Sequence, residues 1–147
     1  MAILALAKNL THHYQILDKF QAGLKLSGWE VKSLRLGGAS LKDSVATVVS
    51  TGLNLTNLFI KPYAKSRVQE MNPTRPRRLL LTKSEIFKIG QILGQNKHYL
   101  LVPANLYTKG GLIKCELALV LKKKNYDKRK DIKEKEVKRR LKKVLRG

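Results

Sequence analysis

Apolar positions along the chain gather in short runs separated by turn residues, and most runs have the period of a strand. The clearest pair is residues 44–50 (SVATVVS) and 53–60 (LNLTNLFI), two β-branched or apolar runs on either side of Thr51-Gly52, which predicts a hairpin. Pro62 closes the second run, because proline has no N–H to give to a ladder. Upstream, residues 9–14 (NLTHHY) lead into a strand-like run ending near Leu17. Residues 20–26 (FQAGLKL) alternate well enough for a separate strand, closed by Ser27-Gly28. Residues 1–13 show no clear period. Downstream, residues 99–102, Leu106-Tyr107 and residues 112–121 complete the strands, with Gly110-Gly111 as a hairpin turn.

Two stretches depart from this pattern. Thr82-Lys83-Ser84-Glu85 is a capping box, in which the hydroxyl and the carboxylate satisfy free amides at a helix start. Ile86, Ile89 and Leu93 follow at helical spacing, and Gly94 is the expected stop. In residues 29–38, Trp29 and Val31 alternate as a strand would, while Val31, Leu34 and Leu36 partly fit a helix; Gly37-Gly38 stops either. A short helix is the favoured reading, with Trp29 packed in the core rather than stacked on a base. The sum is a mainly β fold: a small antiparallel OB-like barrel of about six strands with two or three short helices. Strands this closely spaced leave no room for the regular crossover helices of a βαβ fold.

The segment 61–78 lacks apolar period and is rich in Pro, Asn and Arg, so it reads as a long connection. Within it, Arg75, Arg77 and Arg78 are expected to project from a backbone restricted by Pro73 and Pro76. That arrangement suits phosphate contact or a plain solvated loop.

Charge changes the picture most. The 147 residues carry a formal net charge of +21, which calls for a polyanionic partner. From residue 122 onward, fourteen Lys and Arg face four Asp and Glu, against seventeen and six before it. The chain therefore divides into a barrel domain, residues 1–121, and a basic C-terminal tail, residues 122–147. In the tail, Asp131/Lys135, Glu134/Lys138 and Glu136/Arg140 are acid-before-base pairs four apart, and Val137, Leu141, Val144 and Leu145 make a narrow apolar stripe. Such a helix is marginal alone, so the tail is expected to be disordered when free and helical against a polyanion. A membrane surface is the rival partner, but the stripe has no Trp or Phe and cations occupy nearly every face. RNA is favoured, and no membrane partner is expected.

Candidate chemistry narrows little further. The single cysteine, Cys115, excludes an internal disulfide and a cysteine-rich zinc site, and it sits in an apolar strand pattern as a small core residue. A reducing cytoplasm fits this. The apolar start MAILALAK is too short to span a membrane. His12 and His13 are adjacent, would face opposite ways in a strand and have no third ligand nearby, so no metal is expected. No P-loop, dinucleotide motif or nucleophile elbow occurs, so neither catalysis, a cofactor nor a small-molecule substrate is expected.

A set of motifs in fixed order then becomes informative. They are His12-x-Tyr14; Phe20-x-Ala22-Gly23; Gly28-Trp29-Glu30-Val31-Lys32-Ser33-Leu34-Arg35-x-Gly37; Leu41-Lys42-Asp43-Ser44; Pro73-x-Arg75-x-Arg77-Arg78-Leu79-Leu80-Leu81; Leu106-Tyr107-x-Lys109; and Lys123-Lys124-x-Tyr126-Asp127-Lys128-Arg129-x-Asp131-Ile132-Lys133. Together they resemble the SmpB (SsrA-binding protein) family, partners of transfer-messenger RNA. The resemblance implies an OB-like barrel that grips the tRNA-like domain of that RNA, and a tail that turns helical in the decoding centre and empty mRNA channel of a stalled ribosome. The outcome would be trans-translation: ribosome rescue and tagging of the incomplete peptide, in the cytoplasm, by a monomer. It carries RNA contact onto Asn9, His12, Tyr14, Glu30, Lys32, Ser33, Arg35, Arg75, Arg77 and Arg78. Ribosome contact falls on Lys123, Lys124, Tyr126, Asp127, Lys128, Arg129, Ile132 and Lys133, with Tyr126 stacking, the four Lys and Arg from 123 to 129 on phosphates, and Asp127 ordering the cations beside it. Three departures stand out. Leu10-Thr11 replaces a longer basic run, Gln21 stands where a glutamate is expected, and Lys122 stands where a glycine usually precedes the two lysines. The alternative reading is a structural ribosomal protein or general RNA chaperone.

Overall fold

The structure, a computed structural model, describes residues 2–66, 71–122 and 139. Its strands are β1 (Ala2–Leu6), β2 (Tyr14–Leu24), β3 (Ala39–Ser40), β4 (Val45–Val49), β5 (Gly52–Thr56), β6 (Phe59–Ile60), β7 (Arg77–Leu80), β8 (Tyr99–Lys109) and β9 (Leu112–Lys122). Its helices are α1 (Leu10–His13), α2 (Gly28–Arg35) and α3 (Lys83–Gln95).

Every ladder is antiparallel, and the sheet order β1-β8-β4-β5-β7-β2-β9 closes through a further pairing of β8 with β9. Six strands thus form a ring, with β1 lying outside it along β8. Closure works because β8 is long enough to share one edge: Leu101 pairs with Ala46 of β4, while residues 105–108 pair with β1. The predicted hairpins are both present. β4 and β5 meet at Val49 and Gly52, and β8 and β9 meet at Lys109 and Leu112. Gly110 and Gly111 turn the latter with φ of 58° and 78°, left-handed values that match the twist of the strands they join.

The core follows from alternation. Phe20, Ala22 and Leu24 of β2 point inward, as do Leu53 and Leu55 of β5, Leu79 of β7, and Ile113, Cys115, Leu117 and Leu119 of β9. Trp29 and Leu34 of α2 and Ile89 of α3 plug the same core, so Trp29 is a packing residue. β9 is buried on both faces near its end. Ala118 and Val120 face the other way, against Val102, Leu10, Tyr14 and Ile16.

Four local expectations are corrected. The periodless N-terminus contains a strand, β1, whose uncharged AILAL leaves no alternation to read. Residues 10–13 form one helical turn, entered through Asn9 at φ 58°, so His12 and His13 lie on a helix. The two strands expected around Leu17 and Phe20 are one, bent by an irregularity between Ile16 and Asp18, just as β8 passes Pro103 through another. Gly94 does not stop α3, which runs to Gln95 and ends at Asn96. In addition, Asn57 (φ 60°) breaks the run 53–60 into β5 and β6.

Candidate nucleic-acid interface

Helix α2 begins with a second capping box. Ser27 caps it, and Glu30 three residues on returns a carboxylate to the Ser27 amide at 2.9 Å. The same carboxylate does more. Although Glu30 is fully buried, it is held by two guanidiniums from the far side of the chain. Arg77 Nε donates to Oε2 at 2.6 Å, and Arg75 donates to Oε1 through Nε at 3.1 Å and through Nη2. Burial alone would raise the Glu30 carboxyl, but the Ser27 amide and the two guanidiniums outweigh it and hold it below the ordinary value. Arg77 is also fully buried; burial lowers its pKa, and Glu30 opposes that shift. Its remaining donors satisfy the Leu58 carbonyl and, at 3.1 Å, the Pro73 carbonyl.

The expectation of three arginines projecting from a loop is therefore corrected. Arg77 and Arg78 belong to β7, and Arg77 points inward because Glu30, 47 residues away in sequence, is there to receive it. Arg75 keeps 36% of its side chain exposed, and Arg78 lies on the opposite side, bonded to Thr51 Oγ1 at 2.6 Å. Ser33 is buried too, its hydroxyl donating to the Lys61 carbonyl at 2.5 Å. Lys32 and Arg35 are exposed, with Lys32 Nζ 5.7 Å from the centre of the Tyr63 ring. Of the α2 residues expected at RNA, two are thus at the surface and two beneath it.

Asn9, His12 and Tyr14 stand together at a second place. Asn9 sets the left-handed entry to α1, and Tyr14 follows its last residue. Beside them a groove of about 550 Å³ runs between α1 and the segment before β4, lined by Lys8, His13, Tyr14, Lys42 and Asp43 among others. His12 is half-buried against the edge of the His13 ring and does not line it.

Sequence reading missed a third cluster. A shallow depression of about 610 Å³ brings together Gln21, Thr51, Arg78, Leu80, Glu85 and Lys114. Lys114 sits between Gly23 of β2 and Tyr107 of β8, and Leu80 of β7 packs against Gly23. Its signal was present: it lies between two inward residues, Ile113 and Cys115, and so must face out. Close by, the Tyr107 hydroxyl donates to Gln21, and Glu116 joins Lys19 at 3.2 Å and Asn105 at 3.1 Å. Burial, then Glu116 and Cys115, raise the Tyr107 hydroxyl pKa.

The residues expected at the ribosome, Lys123, Lys124, Tyr126, Asp127, Lys128, Arg129, Ile132 and Lys133, lie outside the described residues, as do the helical pairs expected of the tail. No helix among the described residues is long and apolar enough to cross a membrane.

Fold and surface together define a small six-stranded OB-like barrel whose helical plug, α2, is laced to the strands by buried ions and whose flanks carry cations. Comparison with known proteins makes this specific. A sequence model of the SmpB protein family matches residues 4–147, and the chain belongs to that family. It is 45% identical over 142 residues to the SsrA-binding protein of Thermoanaerobacter pseudethanolicus, covering 96% of this chain and 90% of the relative. It is 47% identical over 140 residues to that of Geobacter metallireducens, covering 95% and 90%. Among solved structures, it superposes on a chain described under "tmRNA-SmpB: a journey to the center of the bacterial ribosome" with a TM-score of 0.68 and 37% identity, covering 82% of this chain and 84% of that one.

Proposed function

We propose that the barrel binds the tRNA-like domain of transfer-messenger RNA and that the chain delivers this RNA to stalled bacterial ribosomes, where the tail, residues 122–147, reports an empty mRNA channel. The observation that carries this reading is likeness along the whole length: identity to SsrA-binding proteins covers 95–96% of the chain. Structured RNA is read largely by shape, 2′-hydroxyls and stacking, which suits a rigid barrel bearing separate cationic and aromatic positions. Lys32, Arg35, Arg75 and Arg78 offer phosphate contacts, while Asn9, His12 and Tyr14 form a polar and aromatic corner. The chain works by binding, as a monomer in the cytoplasm, without cofactor or metal. A tail that folds only inside a polyanionic channel couples rescue to vacancy of that channel.

The test is a chain ending at Leu121, which removes the tail and keeps all but the last residue of β9. It is expected to bind transfer-messenger RNA as the full chain does and to fail in tagging peptides on stalled ribosomes in a reconstituted translation system. Tagging by the shortened chain at the full rate would sink the proposed role of the tail.

A further inference from the structure

We infer that α2 is a clamp that fastens the segments 61–66 and 71–76 through its buried face, so that Glu30, Ser33 and Arg77 serve RNA binding as positioning residues while Lys32, Arg35, Lys61 and Lys65 are the cations that meet phosphate. This rests on the reading of the chain as an RNA binder and adds the division of labour within one flank.

The chain leaving β6 is fastened first. The Lys61 amide donates to the Gly38 carbonyl at 2.6 Å, and the Lys61 carbonyl accepts from Ser33 Oγ at 2.5 Å. Two residues on, Tyr63 lies under the ammonium of Lys32 at 5.7 Å. The returning chain is fastened by charge. Arg75 and Arg77 share Glu30, the Pro73 carbonyl accepts from both Arg77 and, at 2.9 Å, the Ile60 amide, and Arg77 also reaches Leu58. Both ends of the excursion are thus tied to one eight-residue helix.

The faces of that helix separate the roles. Glu30 and Ser33, one turn apart, look inward and are 0% and 4% exposed; Lys32 and Arg35, also one turn apart, are exposed. An RNA phosphate cannot reach a carboxylate enclosed by two guanidiniums, and would be repelled by it. Two cations on one anion also leave the buried cluster with an excess positive charge, which Arg75 carries to the surface. Lys61 and Lys65 are exposed on the fastened segment.

Double-mutant cycles on the full chain test this with transfer-messenger RNA at fixed salt. Independent sites add to within about twofold in affinity. Lys65→Ala is expected to weaken binding in the intact chain and to change it by less than about twofold in the Ser33→Ala background, because the Lys61 carbonyl there has lost the Ser33 hydroxyl and the lysine is no longer held in place. Lys114→Ala, on β9, is expected to give the same loss in both backgrounds. An additive loss from Lys65→Ala would overturn the clamp. Gly38→Ala is a second background for the same cycle: a Cβ there would stand 2.6 Å from Ser33 Oγ and 3.1 Å from Lys61 Cβ, dislodging the segment without touching the buried charges. Amide exchange of Lys61, measured without RNA, separates the clamp from the function. Slow exchange that accelerates in Ser33→Ala and Gly38→Ala supports it, and rates unchanged by both substitutions refute it whatever the RNA does. Failure of the intact chain to bind the RNA would instead refute the proposed function.

Discussion

Replacing Arg77 with methionine removes the charge from the largest fully buried side chain among the described residues while keeping much of its length. Arg77 is fully buried and satisfies one carboxylate oxygen of Glu30 and the carbonyls of Leu58 and Pro73. Methionine fills the space but leaves the Glu30 carboxylate with Arg75 alone. Breaking a buried ion pair from one side costs about 3–5 kcal/mol. Against a typical domain stability of about 5–15 kcal/mol that is a large fraction. For a chain of this size it lowers Tm by roughly 6–12 °C, taking ~3 kcal/mol at about 2–4 °C per kcal/mol. The assay is urea unfolding at neutral pH followed by fluorescence of the single tryptophan, Trp29, which is 6% exposed and one residue from Glu30. The companion variant, Glu30→Met with Arg77→Met, is expected to cost less than Arg77→Met alone, since no buried charge is stranded and the partly exposed Arg75 is solvated instead. A loss below about 1 kcal/mol for Arg77→Met would show that the pair behaves as a surface ion pair, and the account of α2 would fail with it.

Acidification should act through the same carboxylate. Its pKa is lowered by folding, so its contribution is complete above the ordinary carboxylate range and is lost as pH falls through the lowered value; equilibrium unfolding from pH 7 downward should therefore show an acid loss that Glu30→Gln abolishes. Cys115 is fully buried and its thiol is pushed up to about 12, chiefly by burial, so a disulfide reagent at pH 8 should label it only on unfolding; rapid labelling of the native chain would contradict the packing of β9. Gly111→Ala forces an L-residue to φ 78° at the β8–β9 turn and should cost about 1–2 kcal/mol in the same urea assay, whereas an unchanged midpoint would mean the turn has another conformation.

What could be read from sequence was whatever local spacing encodes. The Thr82 capping box announced α3, Gly110-Gly111 announced its hairpin, and the paired apolar runs on either side of Thr51-Gly52 announced β4 and β5. The capping box at Ser27 has the same spacing and was passed over, because Ser27-Gly28 also reads as the end of a strand. β1 and the continuity of β2 were hidden for another reason. A strand lying outside the ring and a strand bent at an irregularity both lose clean alternation. The greatest gap concerned the site. Glu30, Ser33 and Arg77 look from sequence like polar contacts for a polyanion. Only the long-range pairing of α2 with β7 shows that they lie beneath the surface, while outward Lys114, concealed among core residues of β9, lies on it.

The most direct measurement is competition, at one near-physiological salt concentration, between transfer-messenger RNA and an unrelated structured RNA for the full chain. Salt is held constant because phosphate contacts make affinity depend steeply on it. Recognition of the tRNA-like domain requires a preference of about a hundredfold or more, roughly 2.7 kcal/mol. Equal binding of the two RNAs would mean that the charge of +21 alone governs association, and would contradict the assignment of a specific RNA partner.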